Sequence, residues 1–215
     1  MYKKKPLLIV FEGVEGCGKS YQSKKLYNKL KRKKIDTILT REPGGTKSSE
    51  LIRNLILKDY FSKDSKEKFD KYTDTLLYLA ARNEHIKNKI KPALLKKKVV
   101  ICDRFVDSTI AYQVFGKKVE LNFINNIHKK ILQGVKPNIV FILKVSKNSS
   151  RKRLKKRKTK NRYDNFTQSF YTKAQNSFIN IAKNKKNYFI LNSSTNDGSL
   201  ENKIYDLCKK YLKIK

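Results

Sequence analysis

The sequence predicts an α/β fold: a mostly parallel, five-stranded sheet with helices on both faces. Three observations predict it. Short apolar runs of strand length alternate with helix-period segments along the chain, the pattern of strand–helix–strand crossovers. The runs Leu7–Phe11 and Val99–Asp103 read as buried strands. Between the first run and the first helical segment lies Gly13-Val14-Glu15-Gly16-Cys17-Gly18-Lys19-Ser20, which fits G-x-x-x-x-G-K-[ST] with no mismatch.

Each element follows in order. After the strand Leu7–Phe11, the residues Lys24, Lys25, Leu26 and Leu30 recur at helical spacing, so a helix is expected over Lys19–Lys33. Asp36–Thr40 is the second strand and ends in the turn Arg41-Glu42-Pro43-Gly44-Gly45-Thr46. A helix over Ser48–Leu57 is expected to face Leu51, Leu55 and Ile56 inward, and Asp59–Asp70, polar and poorly periodic, reads as a loop. A longer helix over Lys71–Ile90 is expected to stop before Pro92, because proline disfavours helical geometry in the residue before it. Val99–Asp103 is the third strand, and Ser108 is a candidate N-cap for the helix holding Ala111 and Tyr112. Then come a helix at Leu121–Gln133, a strand at Asn138–Leu143, and Lys147–Lys158, which begins helical and turns almost wholly basic. Phe166–Lys183 reads as helix, Tyr188–Leu191 as the fifth strand and Leu200–Leu212 as the last helix. There is no internal repeat, and the one low-complexity stretch is Arg151–Lys160.

At 215 residues the chain is expected to form a single domain over 1–215. It has no run of 18 or more apolar residues, so no membrane span is expected. The short start Met1-Tyr-Lys-Lys-Lys lacks the apolar stretch of a signal peptide, and the expected location is cytoplasmic. Three cysteines, odd in number and far apart, argue against a disulfide framework or a zinc site. Cys17 is either a small residue in a small slot or a thiol whose pKa nearby positive charge lowers. Net charge is +34, from 52 Lys+Arg against 18 Asp+Glu. The lysines are spread over nearly every segment rather than clustered with aromatics, which favours a compositional bias over specific nucleic-acid binding. Such a charge still attracts anionic small molecules.

The Gly-rich loop carries the chemistry. Its glycines let backbone N–H groups curl round an anion, and the helix N-terminus behind them adds its dipole. Lys19 can reach the β- and γ-phosphates of a nucleoside triphosphate, and Ser20 Oγ can ligate Mg²⁺. In an open parallel sheet ligands sit beyond the C-terminal strand ends. Glu15, Arg41 and Asp103-Arg104 follow three such ends and would ring one crevice, with Asp103 placed as a carboxylate near Mg²⁺. A second cluster, Arg151, Arg153, Arg157 and Arg162, is either a solvated helical face or a mobile lid over about 151–164, bringing cations to the transferring phosphoryl group and shutting out water.

Six stretches together carry a resemblance: FEGVEGCGKS at 11–20, TREPGGT at 40–46, LLYLAARNEH at 76–85, KPALL at 91–95, VVICDRFVDSTIAYQ at 99–113 and NRYDN at 161–165. In this order and spacing the chain resembles the bacterial thymidylate kinases (dTMP kinases) over nearly its whole length. The loop alone marks only a P-loop NTPase, whereas TREPGGT and DRFVDSTIAYQ are far more specific. The resemblance implies a three-layer P-loop NTPase sandwich with a short lid, acting as a homodimer. It also implies the reaction ATP + dTMP → ADP + dTDP with Mg²⁺, in the synthesis of dTTP. Apolar helix faces such as Leu121–Leu132 hint at the dimer.

Carried onto this sequence, the resemblance places the donor triphosphate on Gly13 to Ser20, with Lys19 catalytic and Ser20 and Asp103 at the metal. Glu15 would sit by the sugar 3′-hydroxyl, and Arg41 and Arg104 would hold the acceptor phosphate. Tyr78 would stack on thymine, and Arg82, four residues on and on the same helix face, would bond a thymine carbonyl oxygen. Thr109 and Gln113 would line the base pocket, and the Tyr112 ring would crowd the sugar 2′ position. Arg53 and Pro43 would belong to the same pocket, the Glu42–Pro43 bond being a candidate for the cis form. Arg153, Arg157 and Arg162 would be the lid arginines and Asp164 a lid-end carboxylate. Val114-Phe115-Gly116-Lys117-Lys118, less glycine-rich than in relatives, would make a stiffer loop. Two other functions suit some of these residues, a kinase for another nucleoside monophosphate and a basic nucleic-acid-stimulated ATPase.

Overall fold

Parallel pairing organises the chain. The strands β1 (Leu7–Glu12), β2 (Thr37–Arg41), β3 (Val99–Asp103), β4 (Ile139–Lys144) and β5 (Tyr188–Asn192) form one sheet in the order β2-β3-β1-β4-β5, each pair parallel. These features belong to a computed structural model describing residues 5–58, 67–157, 167–195 and 198–213. Arg162, Asp164 and the rest of the expected lid beyond residue 157 lie outside the described residues. Every residue of β1 is buried, as are the apolar residues of β3 and β4, because helices cover both faces of a parallel sheet. The outer strands β2 and β5 are more exposed. Phe11, Asp103 and Arg41 share one register line, so β1, β3 and β2 end side by side. The chain leaves β1 toward β2 on one side and later fills β4 on the other, which opens a crevice at the C-terminal end of β1.

The helices are α1 (Lys19–Arg32), α2 (Lys47–Leu57), α3 (Lys71–His85), α4 (Lys91–Leu95), α5 (Val106–Thr109), α6 (Leu121–Ile131), α7 (Lys147–Lys155), α8 (Gln168–Ala182) and α9 (Ser199–Leu212). Among the described residues none is long and apolar enough to cross a membrane. Thr46 caps α2 by accepting the Ser49 N–H, and Asp70 caps α3 by accepting the Tyr72 N–H.

Four local expectations are corrected. The chain does not leave helical geometry before Pro92. A π turn, Ile86–Ile90, links α3 to α4, with the Lys91 N–H bonded to Ile86 O. Pro92 then falls in the first turn of α4, directly after the π turn, at the helix position where proline is tolerated. Ser108 is not an N-cap: α5 starts at Val106, and the Ser108 hydroxyl serves Glu12 instead. The expected stiff loop after Gln113 is helical to Gly116, within a second π turn, Ile110–Gly116. Leu51 and Leu55 do not face inward; they are 70% and 43% exposed, whereas Ile56 is buried. On α2 it is the small Ser49 that faces α3, its hydroxyl donating to Ala81 O at 2.9 Å. Leu76 of α3 is also 47% exposed.

Candidate active site

The loop between β1 and α1 has to be built from glycine. Gly13 and Gly16 lie at φ of +136° and +71°, and a Cβ there would come within 2.6 Å of Leu143 O and 2.8 Å of Ser150 O. Gly18 precedes α1 with no side-chain cap, which leaves the first-turn N–H groups available to an anion. Lys19 Nζ donates to Val14 O at 2.9 Å and lies 3.6 Å from Cys17 Sγ. Val14 and Cys17 pack inward. Burial pushes the Cys17 thiol up despite the Lys19 and Arg104 charges, the reverse of an activated thiolate.

Ser20 Oγ donates to the Asp103 carboxylate. A hydroxyl and a carboxylate oxygen beside a phosphate cradle are hard donors of the kind Mg²⁺ takes. Among the described residues there is no group of three or more His, Cys, Asp or Glu that could hold a metal, so an ion here would draw its other ligands from phosphate and water.

Arg104 follows β3 in the left-handed region, at φ 72°. Its Nη1 donates to Gly13 O at 2.9 Å and Ser108 Oγ at 3.1 Å, and its Nη2 to Glu15 Oε1 at 2.6 Å. The other Glu15 oxygen accepts from Tyr112 OH at 2.6 Å. Burial alone would raise the Glu15 carboxyl, but Arg104 and Lys19 hold it below its ordinary value. Burial works against charge on Arg104, and Glu15 overrides it. Burial, then Glu15, pushes the Tyr112 hydroxyl well up, so it stays a donor.

The β2 turn brings two more arginines. Arg41, 53% exposed on its side chain, donates from Nη2 to both Glu50 oxygens at 3.1 Å. Glu50 also accepts the Gly45 N–H at 2.8 Å, which fixes the turn against α2. Arg53 Nη1 donates to Pro43 O at 2.6 Å, and the Glu42–Pro43 bond is cis. Burial, then Arg41, lowers the Arg53 pKa.

Arg82 of α3 is almost fully buried in a cage. Nε donates to Glu42 Oε2 at 2.7 Å, Nη1 to Thr109 Oγ1 at 2.7 Å and His128 Nε2 at 2.9 Å, and Nη2 to Phe105 O at 2.8 Å. That leaves one N–H of Nη2 uncommitted among the described residues. His85 Nδ1 lies 3.0 Å from Glu42 Oε1 and its Nε2 lies 2.7 Å from Thr40 Oγ1. Burial would raise Glu42, but Arg82 and His85 bring it below its ordinary value. Gln113 is 1% exposed, and among the described residues its Nε2 has no hydrogen-bond partner.

These groups share one cleft of about 550 Å³. Glu15, Gly16, Gly18, Lys19 and Ser20 line it with Asp103 and Arg104. Arg41, Glu42, Pro43, Arg53, Tyr78, Arg82, Ser108, Thr109, Tyr112 and Gln113 are among the residues lining the rest, with Arg153 and Arg157 at the lid side. Of the expected site residues that are described, Gly13, Val14 and Cys17 stand behind this lining. Arg153 is already engaged: Nη1 donates to Gly16 O at 3.2 Å and Nη2 to Ser193 O at 2.7 Å. With Ser150 Oγ on Glu15 O at 2.9 Å, it ties α7 to the phosphate loop.

Sequence reasoning missed Glu12, Glu42, Glu50, His85 and His128. Glu42 and His85 stood inside TREPGGT and LLYLAARNEH, yet no spacing rule pairs a strand end with a helix 43 residues on. Both histidines of the chain meet the Arg82–Glu42 pair.

Comparison with known proteins gives the family. The family profile described as Thymidylate kinase matches residues 11–204. The thymidylate kinase of Wolbachia pipientis wMel is 38% identical over 205 residues, 93% of this chain and 98% of the relative. That of Aster yellows witches'-broom phytoplasma (strain AYWB) is 38% identical over 211 residues, 96% of this chain and 97% of the relative. The crystal structure of thymidylate kinase from Ehrlichia chaffeensis superposes with a TM-score of 0.75 at 29% identity, covering 95% of this chain and 99% of that one. On the profile, the relatives and the shared fold, this chain belongs to the thymidylate kinase family.

Proposed function

We propose that the chain transfers the γ-phosphoryl group of ATP to dTMP, giving ADP and dTDP for nucleotide biosynthesis. The observation that carries the choice of acceptor is the buried Gln113 Nε2 in the cleft wall, which has no hydrogen-bond partner among the described residues. A buried donor without a partner costs about 1–3 kcal/mol, and a pyrimidine carbonyl would satisfy it. The uncommitted Arg82 N–H offers a second donor to the base, and the half-buried Tyr78 ring a stacking surface.

At the other end of the cleft, Arg104 and Arg41 grip the acceptor phosphate, whose forked donors suit its oxygens, with Arg53 beside them. Glu15 takes the sugar 3′-hydroxyl, and the Tyr112 ring crowds the 2′ position. The donor triphosphate lies in the Gly13–Ser20 cradle, with Lys19 swinging from Val14 O to its oxygens. An acceptor phosphate oxygen attacks Pγ, the bond from Pγ to the β-bridging oxygen breaks, and ADP leaves. That oxygen is already anionic at neutral pH, so no general base is needed; positioning and charge neutralisation do the catalysis. Ser20 and Asp103 would hold Mg²⁺, which neutralises charge on the β- and γ-phosphate oxygens. Arg157 and Arg162 are the lid arginines assigned to the transferring group. Arg153, held to Gly16 O and Ser193 O, joins them from the phosphate-loop side.

The whole chain acts as one kinase domain in the cytoplasm, with 151–164 as its lid. It works as a homodimer joined through the outward leucines of α2 and α3, which support an apolar contact. The test is Gln113→Leu. KM for dTMP should rise roughly 10- to 100-fold with KM for ATP unchanged. An unchanged KM for dTMP refutes the base assignment.

A further inference from the structure

Glu12 ends β1, is fully buried, and does not line the cleft. Among the described residues it has no salt bridge within 4 Å. Among the described residues its side-chain hydrogen bonds all go to Phe105 and Ser108, just after β3. Oε1 accepts the N–H of Phe105 at 2.7 Å and of Ser108 at 3.2 Å, and Oε2 accepts the Ser108 hydroxyl at 2.6 Å. Ser108 Oγ in turn accepts from Arg104 Nη1 at 3.1 Å. A carboxylate, a hydroxyl and the phosphate-gripping guanidinium thus form one relay.

The backbone needs this support. Arg104 sits at φ 72°, which a non-glycine residue adopts at a cost of order 1 kcal/mol. The strained residue is pinned from both sides by consecutive residues of β1. Its own N–H bonds Phe11 O at 2.9 Å, and the next N–H, of Phe105, bonds Glu12.

A carboxylate is a poor choice for scaffold alone. Burial, then Asp107 on α5, pushes the Glu12 carboxyl up to about 8, against the opposing pull of Ser108 and Arg104, so near neutral pH the group is mostly the neutral acid. Glutamine, also neutral, would offer the same single carbonyl oxygen to the two backbone N–H groups. What the carboxyl group adds over an amide is a second oxygen, 2.6 Å from Ser108 Oγ, which orients that hydroxyl toward Arg104.

We infer that Glu12 is a positioning residue: through Ser108 and the turn at Arg104 it fixes the guanidinium that grips the acceptor phosphate. This rests on the reaction proposed above. The test measures steady-state kinetics with dTMP and ATP varied separately, plus melting temperature, for wild type, Glu12→Gln, Ser108→Ala and the double variant.

Each single variant should raise KM for dTMP roughly tenfold, with KM for ATP held within about twofold. The melting temperature of Glu12→Gln should hold or rise, which a scaffold role would not give. The double variant should be no worse than the worse single by more than about twofold, because both act through one relay. Single effects that multiply, or a fall in melting temperature with KM for dTMP unchanged, would overturn the inference. Ser108→Ala keeps both backbone bonds to Glu12, but Ser108 also lines the cleft, so if Glu12→Gln fails to fold, Glu12→Asp, singly and combined with Ser108→Ala, carries the test with the same outcomes. Wild-type protein that does not turn over dTMP would sink the reaction itself, and the role of Glu12 with it.

Discussion

Arg82 Nη1 donates to His128 Nε2 at 2.9 Å, a contact that reaches from α3 to α6 behind the Arg82 wall of the cleft. Arginine cannot accept, so the imidazole must be neutral at that nitrogen. Burial, then the Arg82 charge, brings the His128 pKa down to about 3 from an ordinary 6.5.

That shift sets a pH dependence. Above pH 6.5 both folded and unfolded chains keep His128 neutral, and its contribution to stability is complete. As pH falls from 6.5 toward about 3, only the unfolded chain takes up the proton, so stability drains away. Glu15 and Glu42, held below their ordinary value, add losses only under about pH 4.5, whereas Glu12, raised to about 8, works the opposite way and adds stability as pH falls from there toward 4.5, so the His128 loss is read as a difference between variants. His128→Gln keeps an acceptor for Arg82 and removes the titration. Its melting temperature should fall less between pH 7 and 5 than that of the wild type, as followed by circular dichroism. Equal slopes would contradict the shift.

Arg104→Ala removes the guanidinium and leaves the Glu15 carboxylate unpaired. It should lower kcat/KM for dTMP roughly 100- to 1,000-fold, mostly through KM, with Arg104→Lys recovering only part because a single ammonium cannot reproduce the fork. Near-normal affinity for dTMP in Arg104→Ala would show that the acceptor phosphate lies elsewhere.

Tyr112→Phe deletes one hydrogen bond to Glu15 but keeps the ring that stacks near Phe170 and Phe178. KM for dTMP should rise roughly 3- to 10-fold while preference for the deoxyribose form survives. Tyr112→Ala should lose that preference, measured as the ratio of kcat/KM for dTMP and its ribo counterpart.

Leu51→Glu combined with Leu76→Glu places charge on the outward apolar face of α2 and α3. Light scattering should find the wild type at twice the chain mass and the double variant at the chain mass. Two dimers, or two monomers, would remove this face as the interface.

Much of this was legible in the chain. Strand–helix alternation and the Gly13–Ser20 pattern predicted the sheet and its loop, because both depend on local periodicity and on backbone freedom that only glycine supplies. Arg41, Asp103 and Arg104 could be placed together because strand ends in a parallel sheet share one edge. The α2 face could not be read: its Leu51 and Leu55 have the same spacing as a core stripe, and only the Ser49 contact to Ala81 shows which side turns inward. The π turn that admits Pro92 has no one-dimensional mark. Glu12, Glu42 and His128 were silent because their partners lie on other elements, and a buried carboxylate looks like any other glutamate until its hydrogen bonds are known.

The most direct measurement is ADP release with ATP held fixed and dTMP, dUMP, dCMP, AMP and GMP supplied in turn. A cleft that joins a triphosphate cradle to a guanidinium-gripped pyrimidine nucleotide predicts rapid release with dTMP and far less with dCMP, AMP or GMP. ADP release that ignores the monophosphate, or that favours a purine one, would contradict it.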